Sequence, residues 1–277
     1  MPLGRLAAWL MIAPALILLF GVFVLPIGWF LVGSLAELGT LSEIWTEAQD
    51  VLFSGTVARV LVNTNVIGLI VTLLVLVIGY PVSYALSRAK GFAFTAILLC
   101  IVLPYFTSTI VRTYAWMVLL GRSGLINQIL LGLGLVDAPL ELMYNRTGVI
   151  IGMTYVLLPY MVLTLYAAMK AVDPRLLQAA EGMGASPVAV FLKVFMPLTL
   201  HGVIAGVLIT FILAIGFFVT PALMGGPRDI MIAMLIEREV ELTQNWASAA
   251  MMTIVLLAVT LILYGFYSRF AEKEAPR

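Results

Sequence analysis

Six long apolar runs dominate the chain: Leu6–Leu35, Val60–Leu86, Phe92–Leu120, Gly148–Met169, Leu198–Leu223 and Trp246–Phe270. Each holds the ~20 largely apolar residues that a helix needs to cross a bilayer. Backbone amides cannot face lipid unpaired, so each run is expected to be helical. The runs are continuous rather than alternating, which excludes a transmembrane β-barrel. Of the 277 residues, 63% are hydrophobic and 10% charged, against about 25% charged in a soluble domain. The reading is an all-α, polytopic membrane protein with six spans in one transmembrane domain over residues 1–277. The first run exceeds the apolar core of a signal peptide, about 7–15 residues, and is read as a retained span.

Charge sets the expected orientation. With the N-terminus inside, the inner segments hold Arg5, Arg88, Lys90, Lys170, Arg175, Lys193, Arg269, Lys273 and Arg277. The outer loops hold only Arg59, Arg122, Arg146, Arg228 and Arg238. Basic residues favour the cytoplasmic side, so both termini are placed there. Four acids lie inside, Glu274 among them, and ten lie outside. With 15 basic and 14 acidic residues overall, no basic excess exists for a nucleic acid. Membrane lipid is the expected surroundings. The lone cysteine, Cys100, reads as a small apolar core residue.

The outer loops are expected to carry local structure. The first outer loop, with Leu41, Ile44, Trp45, Val51, Leu52 and Phe53 among acids, reads as an amphipathic segment on the outer interface, Gly121–Thr147 as a short helix with turns, and Ile230–Leu242 as a short helix after the turn Gly225-Gly226-Pro227.

The most informative stretch is the inner loop, residues 170–197. Asp173-Pro174 writes a helix start, with an acceptor side chain at the N-cap and proline at the first position. Ala179 and Ala180 favour the helix, and Gly184 can take the left-handed conformation that ends it. Ser186-Pro187 starts a second helix by the same logic, and Pro197 marks its end or a kink. Two readings of the first helix fit: a knob about 15 Å long that enters another protein, or a helix lying on the inner leaflet.

The spacing of this loop is specific. Gln178-Ala179-Ala180, three residues, Gly184, nine residues, then Val194-Phe195-Met196-Pro197 resembles the "EAA" motif of bacterial ABC-importer permeases. Gln178 stands where that family usually has Glu, Val194 where it has Ile and Met196 where it has Leu. Other strings resemble the first permease of spermidine/putrescine-type importers: Tyr80–Leu86, Val111–Met117, Gly121–Gln128, Phe218–Pro221 and Gly225–Pro227. The resemblance implies a type I importer permease whose coupling helix docks on an ATP-hydrolysing subunit. Gln178, Ala179, Ala180, Gly184, Ala185, Ser186 and Pro197 are its expected coupling residues. It also implies a second permease, a dimer of ATP-binding cassettes that hold ATP and Mg, and an extracytoplasmic solute-binding protein.

The chain carries no chemistry of its own by this reading. A phosphate-binding loop ends in Lys followed by Ser or Thr, whereas the four lysines precede Gly91, Ala171, Val194 and Glu274. One His and one Cys do not make a metal site, and His201 reads as a packing or headgroup contact. No cofactor is expected on this chain, and it is not expected to be an enzyme.

Solute passage is sought along polar and aromatic faces. On one helix, Tyr105, Ser108, Thr109, Arg112 and Trp116 share a side. Arg112 is a charge inside a span, which is costly; it reads either as lining the path or as a structural cation capping carbonyls or holding another subunit's acid. Tyr155 and Tyr160 in span four, with Pro159 a potential kink, and Thr210, Phe217, Phe218 and Thr220 in span five complete the candidates. Aromatic faces attract ammonium groups by about 0.5–2 kcal/mol. No Asp or Glu lies within any of the six runs, so a polyamine finds no counter-charge there, and an amine that also bears a carboxylate suits Arg112 better. The function expected is half of an alternating-access path for a small amine: a polyamine, an opine or a related compound. Its rivals are an ion-driven secondary transporter, which predicts intramembrane acids or broken helices, and a membrane scaffold.

Overall fold

A computed structural model describes residues 5–273; Glu274 and Arg277, counted in the inner charge balance, lie outside them. Every regular element among the described residues is helical. In chain order the α-helices are α1 (Arg5–Leu19), α2 (Leu25–Ala36), α3 (Leu41–Phe53), α4 (Gly55–Arg88), α5 (Gly91–Val102), α6 (Thr109–Leu120), α7 (Leu125–Gly132), α8 (Arg146–Lys170), α9 (Pro174–Gly182), α10 (Pro187–Val190), α11 (Met196–Leu198), α12 (Leu200–Ile215), α13 (Val219–Met224), α14 (Ile232–Arg238) and α15 (Trp246–Lys273).

Among the described residues, four helices are long and apolar enough to cross a membrane unbroken: Trp9–Ala36, Gly55–Arg88, Arg146–Lys170 and Trp246–Gly265. Two bent pairs raise the number to six if each is one span. Span three, expected as one helix over Phe92–Leu120, is instead broken. α5 tightens into a 3₁₀ turn at Leu103–Phe106, and the chain is extended at Thr107 and Ser108 before α6 begins, with a bend of 106°. Pro104 is one cause, since it has no N–H for the carbonyl four residues back and its ring crowds it. Span five is likewise not the single helix expected over Leu198–Leu223. α12 ends at Ile215, and Pro221 inside α13 cannot donate to Phe217. At its inner end, α12 bends by 58° from the Pro187–Leu198 arm. In contrast, α8 runs through Pro159 as one helix.

Prolines also explain two π-turns. Phe20–Val24 and Phe191–Phe195 each end two residues before a proline, Pro26 and Pro197. In each, the next amide bonds five residues back, at Leu25→Phe20 and Met196→Phe191. The wider turn takes up the residue that the proline cannot pair.

The chain groups into two compact units. One joins the chain up to Ala58 with Leu235–Leu257. In it, α3 starts at a capping box: Glu43 N–H donates to the Thr40 hydroxyl, and the Glu43 carboxylate accepts from Thr40 N–H at 2.8 Å. The Thr40 bonds hold the Glu43 carboxyl below the usual carboxylate range. α3 exposes Leu41, Trp45 and Phe53, as an interfacial segment should. Ser248 Oγ donates to Glu47 at 2.6 Å, and Phe30 meets Trp246 edge to face.

The other unit comprises Arg59–Met234 and the chain from Ala258 on. Its core runs along α4, α8, α9, the Phe191–Phe195 turn and α12, through Ile67, Val71, Val75, Met153, Leu157, Met161, Leu165, Phe195 and Ala214. The α8–α12 seam depends on small residues. A Cβ on Gly202 would overlap Ala168, and one on Gly206 would sit 2.7 Å from Met161 Sδ. Backbones approach this closely only where side chains are absent. Cys100, expected in the core, is exposed on α5.

Candidate coupling face and translocation seam

The inner loop forms the helix, elbow and helix that its residues specify. Asp173 Oδ1 accepts from Arg175 N–H at 2.9 Å, and α9 runs from Pro174 to Gly182. Gly184 sits at φ +86°. Ala185 N–H donates to Ala180 C=O at 3.1 Å and Gly184 N–H to Glu181 C=O at 2.9 Å, the paired bonds of a Schellman end. Ser186 Oγ then accepts from Ala189 N–H at 3.3 Å and opens α10.

α9 has two faces. Leu177 and Ala180 are buried against the core, whereas Leu176, Gln178, Ala179 and Met183 are exposed, Met183 by 83%. Ala185 packs half-buried on the core, and Pro197 is exposed beyond the π-turn. The loop thus anchors its underside and offers a small, partly apolar outer face.

What holds the loop was not read from sequence. Tyr84 on α4 meets Phe191 and Phe195 edge to face at 5.2 and 5.3 Å. Tyr80 OH and Thr199 Oγ1 are hydrogen-bonded at 3.0 Å. The Arg88 guanidinium lies over the rings of Tyr84 and Phe195 at 5.4 and 5.7 Å, a favourable cation–π placement. Arg88, Gln178, Glu181, Tyr84, Phe191 and Phe195 line a cleft of about 300 Å³ beside the loop. Only the i, i+4 spacing of Tyr80, Tyr84 and Arg88 hinted at this face.

The break in span three separates the expected stripe. Tyr105 lies in the 3₁₀ turn and Ser108 in the extended link, exposed and without a side-chain capping bond; Thr109, Arg112 and Trp116 belong to α6. Contacts reassemble part of the set along α8. Tyr160 donates to Tyr105 at 3.5 Å with the rings edge to face, and Trp116 meets Tyr155 edge to face at 5.3 Å. Arg112 donates one bond, to Thr109 Oγ1 at 3.1 Å; its Nε is buried with no partner, and no carboxylate reaches it among the described residues. Thr220 is fully buried, its hydroxyl 3.2 Å from that of Thr113. Phe217 packs against the core, and Thr210 is buried in α12.

A polar clasp closes the outer side of the same unit. Asn63 Nδ2 donates to the carbonyls of Arg228 and Ile230 at 3.3 and 3.0 Å, and its Oδ1 accepts from Arg146 at 2.5 Å. Arg146 Nε also reaches Asp229 at 3.3 Å, and Asp229 accepts from Gly226 N–H at 3.2 Å. Thr64 Oγ1 accepts from Ile232 N–H at 2.9 Å. The polar triplet Asn63-Thr64-Asn65 inside an apolar run was the available signal for it.

Residues 9–274 match the family described as binding-protein-dependent transport system inner membrane component. The spermidine/putrescine transport system permease protein PotB of Haemophilus influenzae is 35% identical, over 79% of this chain and 76% of the relative. PotB of Escherichia coli K12 is 34% identical, over 78% and 80%. In fold, the chain is similar to one in the crystal structure of a bacterial alginate ABC transporter in complex with an alginate pentasaccharide-bound periplasmic protein, with TM-score 0.75, 18% identity and coverage of 96% and 94%. The chain therefore belongs to the family of inner membrane components of binding-protein-dependent transport systems: it is a multi-pass permease subunit of an ABC importer, whose ATPase is a separate subunit.

Proposed function

We propose that the chain forms half of the import path for a small amine-type solute and is driven through α9. A second permease supplies the other half. Two ATP-binding cassette subunits hold ATP and Mg, one of them gripping the exposed face of α9, and a solute-binding protein delivers cargo from outside. The observation that carries this reading is the coupling loop itself: a capped helix with a buried underside, an exposed Gln178–Ala179–Met183 face and a fixed elbow at Gly184. Such a loop moves as a body when gripped. ATP drives alternating access only if it biases inward and outward states differently. Polyamines are the first solutes to test, because both PotB relatives carry that name; an opine or other amine bearing a carboxylate is the second.

Tyr105, Tyr155, Tyr160, Trp116 and Arg112 are the seam assigned to the path. Phe217 and Thr220 support it from within the packing, and Ser108 marks the break. The test is uptake by the reconstituted importer. Deleting Ala179–Gly184 is expected to abolish ATPase co-purification and uptake together, and retention of both refutes the assignment. Arg112→Gln is expected to lower uptake about tenfold or more, the scale of losing one charge-assisted contact. Unchanged uptake dismisses a path role for Arg112.

A further inference from the structure

α4 touches both ends of its unit. It is one unbroken helix of 34 residues, about 50 Å long. Its inner end carries Tyr80, Tyr84 and Arg88 against Thr199, Phe191 and Phe195, the arm that leads out of the coupling loop. Its outer end carries Asn63 and Thr64 against Arg146 and the 228–232 segment. Between them Ile67, Val71 and Val75 are fully buried, and within the inner end Ser83 Oγ donates to Val162 C=O of α8 at 3.1 Å. Spans three and five are broken, but α4 and α8 are not.

We propose that α4 is the relay between the two faces, and that Asn63, with the Arg146–Asp229 pair, is its outer handle. The chemistry suits a handle. The Asn63 carboxamide uses both functions at once, donating to two backbone carbonyls and accepting from Arg146. Truncating it orphans those carbonyls. Asp229 is 5% exposed and needs both Arg146 and Gly226 N–H. Gly225 and Gly226 let the loop fold this tightly, since a Cβ on either would come within 2.5 Å of the Pro221 or Tyr144 carbonyl oxygen. When the coupling loop moves, the aromatic grip carries α4 with it, and the clasp carries the outer segment. Asn63, Arg146 and Asp229 are thus positioning residues of the transport cycle. The inference rests on the proposed docking of α9.

The test uses the assembled importer in nanodiscs with its solute-binding protein. Three readouts are taken: co-purified ATPase, basal ATP hydrolysis, and its stimulation by loaded binding protein. Asn63→Ala is expected to leave the first two unchanged and to cut stimulation about tenfold, within the range of measured site-to-site couplings. Tyr80→Phe, which removes the bond to Thr199, is expected to lower stimulation as well. The double variant is expected to be no worse than the stronger single one, because both cut one relay. Unchanged stimulation in Asn63→Ala, or single losses that multiply in the double variant, would overturn the proposal. If Asn63→Ala does not assemble, Asp229→Asn is read by the same criteria; it keeps an acceptor for Gly226 and removes the charge facing Arg146. Co-purification and basal hydrolysis report the docking of α9, and the stimulation ratio reports the relay, so the two can fail separately.

Discussion

A side chain at position 184 would have to enter the left-handed region, at a cost of about 1–2 kcal/mol. No neighbouring atom lies within 4 Å of a Cβ built there, so the cost is conformational and not steric. Gly184→Ala is therefore expected to assemble with the ATPase but to transport more slowly, whereas Gly184→Pro, which also loses the N–H bonded to Glu181, is expected to uncouple. Uptake per ATP hydrolysed checks both. Glu43 gives a second prediction at this scale. Its carboxyl is held low by Thr40, so the cap is fully present above the ordinary carboxylate pKa and is lost as pH falls through the lowered one. The protection of the amides at the start of α3, corrected for the intrinsic pH dependence of exchange, is expected to fall on acidification, and Thr40→Val, which keeps only the backbone N–H bond to Glu43, is expected to weaken that dependence. Protection that does not change with pH in the native chain would contradict it.

At the scale of elements, local chemistry was legible and tertiary chemistry was not. Asp173-Pro174, Gly184 and Ser186-Pro187 specify caps and an elbow within a few residues, so the helix, elbow and helix of the 170–197 loop could be read before they were seen. The breaks in spans three and five could not. Pro104, Pro159 and Pro221 look alike in an apolar run, yet α8 continues through Pro159. Whether a proline breaks a buried helix depends on which neighbours re-satisfy the freed carbonyls. Projecting span three as one helix therefore grouped Tyr105 and Ser108 with Arg112, although two segments carry them. Cys100 was misplaced for a related reason: apolar periodicity does not tell a core face from a face exposed on a single subunit. The α8–α12 seam makes an element-scale prediction. Gly206→Leu must displace Met161 Sδ, and overpacking of this kind costs about 1–3 kcal/mol. Thermal unfolding of the purified subunit in detergent is expected to begin at lower temperature, with Ala205→Leu, on a half-buried position of the same helix, closer to the parent.

For the whole molecule, composition alone established a multi-pass helical protein, and the inner loop alone pointed to the importer family. Beyond the hint of the Asn63-Thr64-Asn65 triplet, the outer clasp could not be assembled from sequence, because Asn63, Arg146 and Asp229 are 83 residues apart at each step. Asp229 was read as one more outer-loop acid, yet it is buried. The account of the molecule stands on α9 being the place where an ATP-driven partner grips this permease. Its most direct test is solute uptake by proteoliposomes holding the permease pair with or without the ATPase subunits, supplied with binding protein and internal ATP. Uptake is predicted only with the ATPase present, and it is predicted to disappear in Gly184→Pro. Uptake that proceeds without the ATPase would contradict the account.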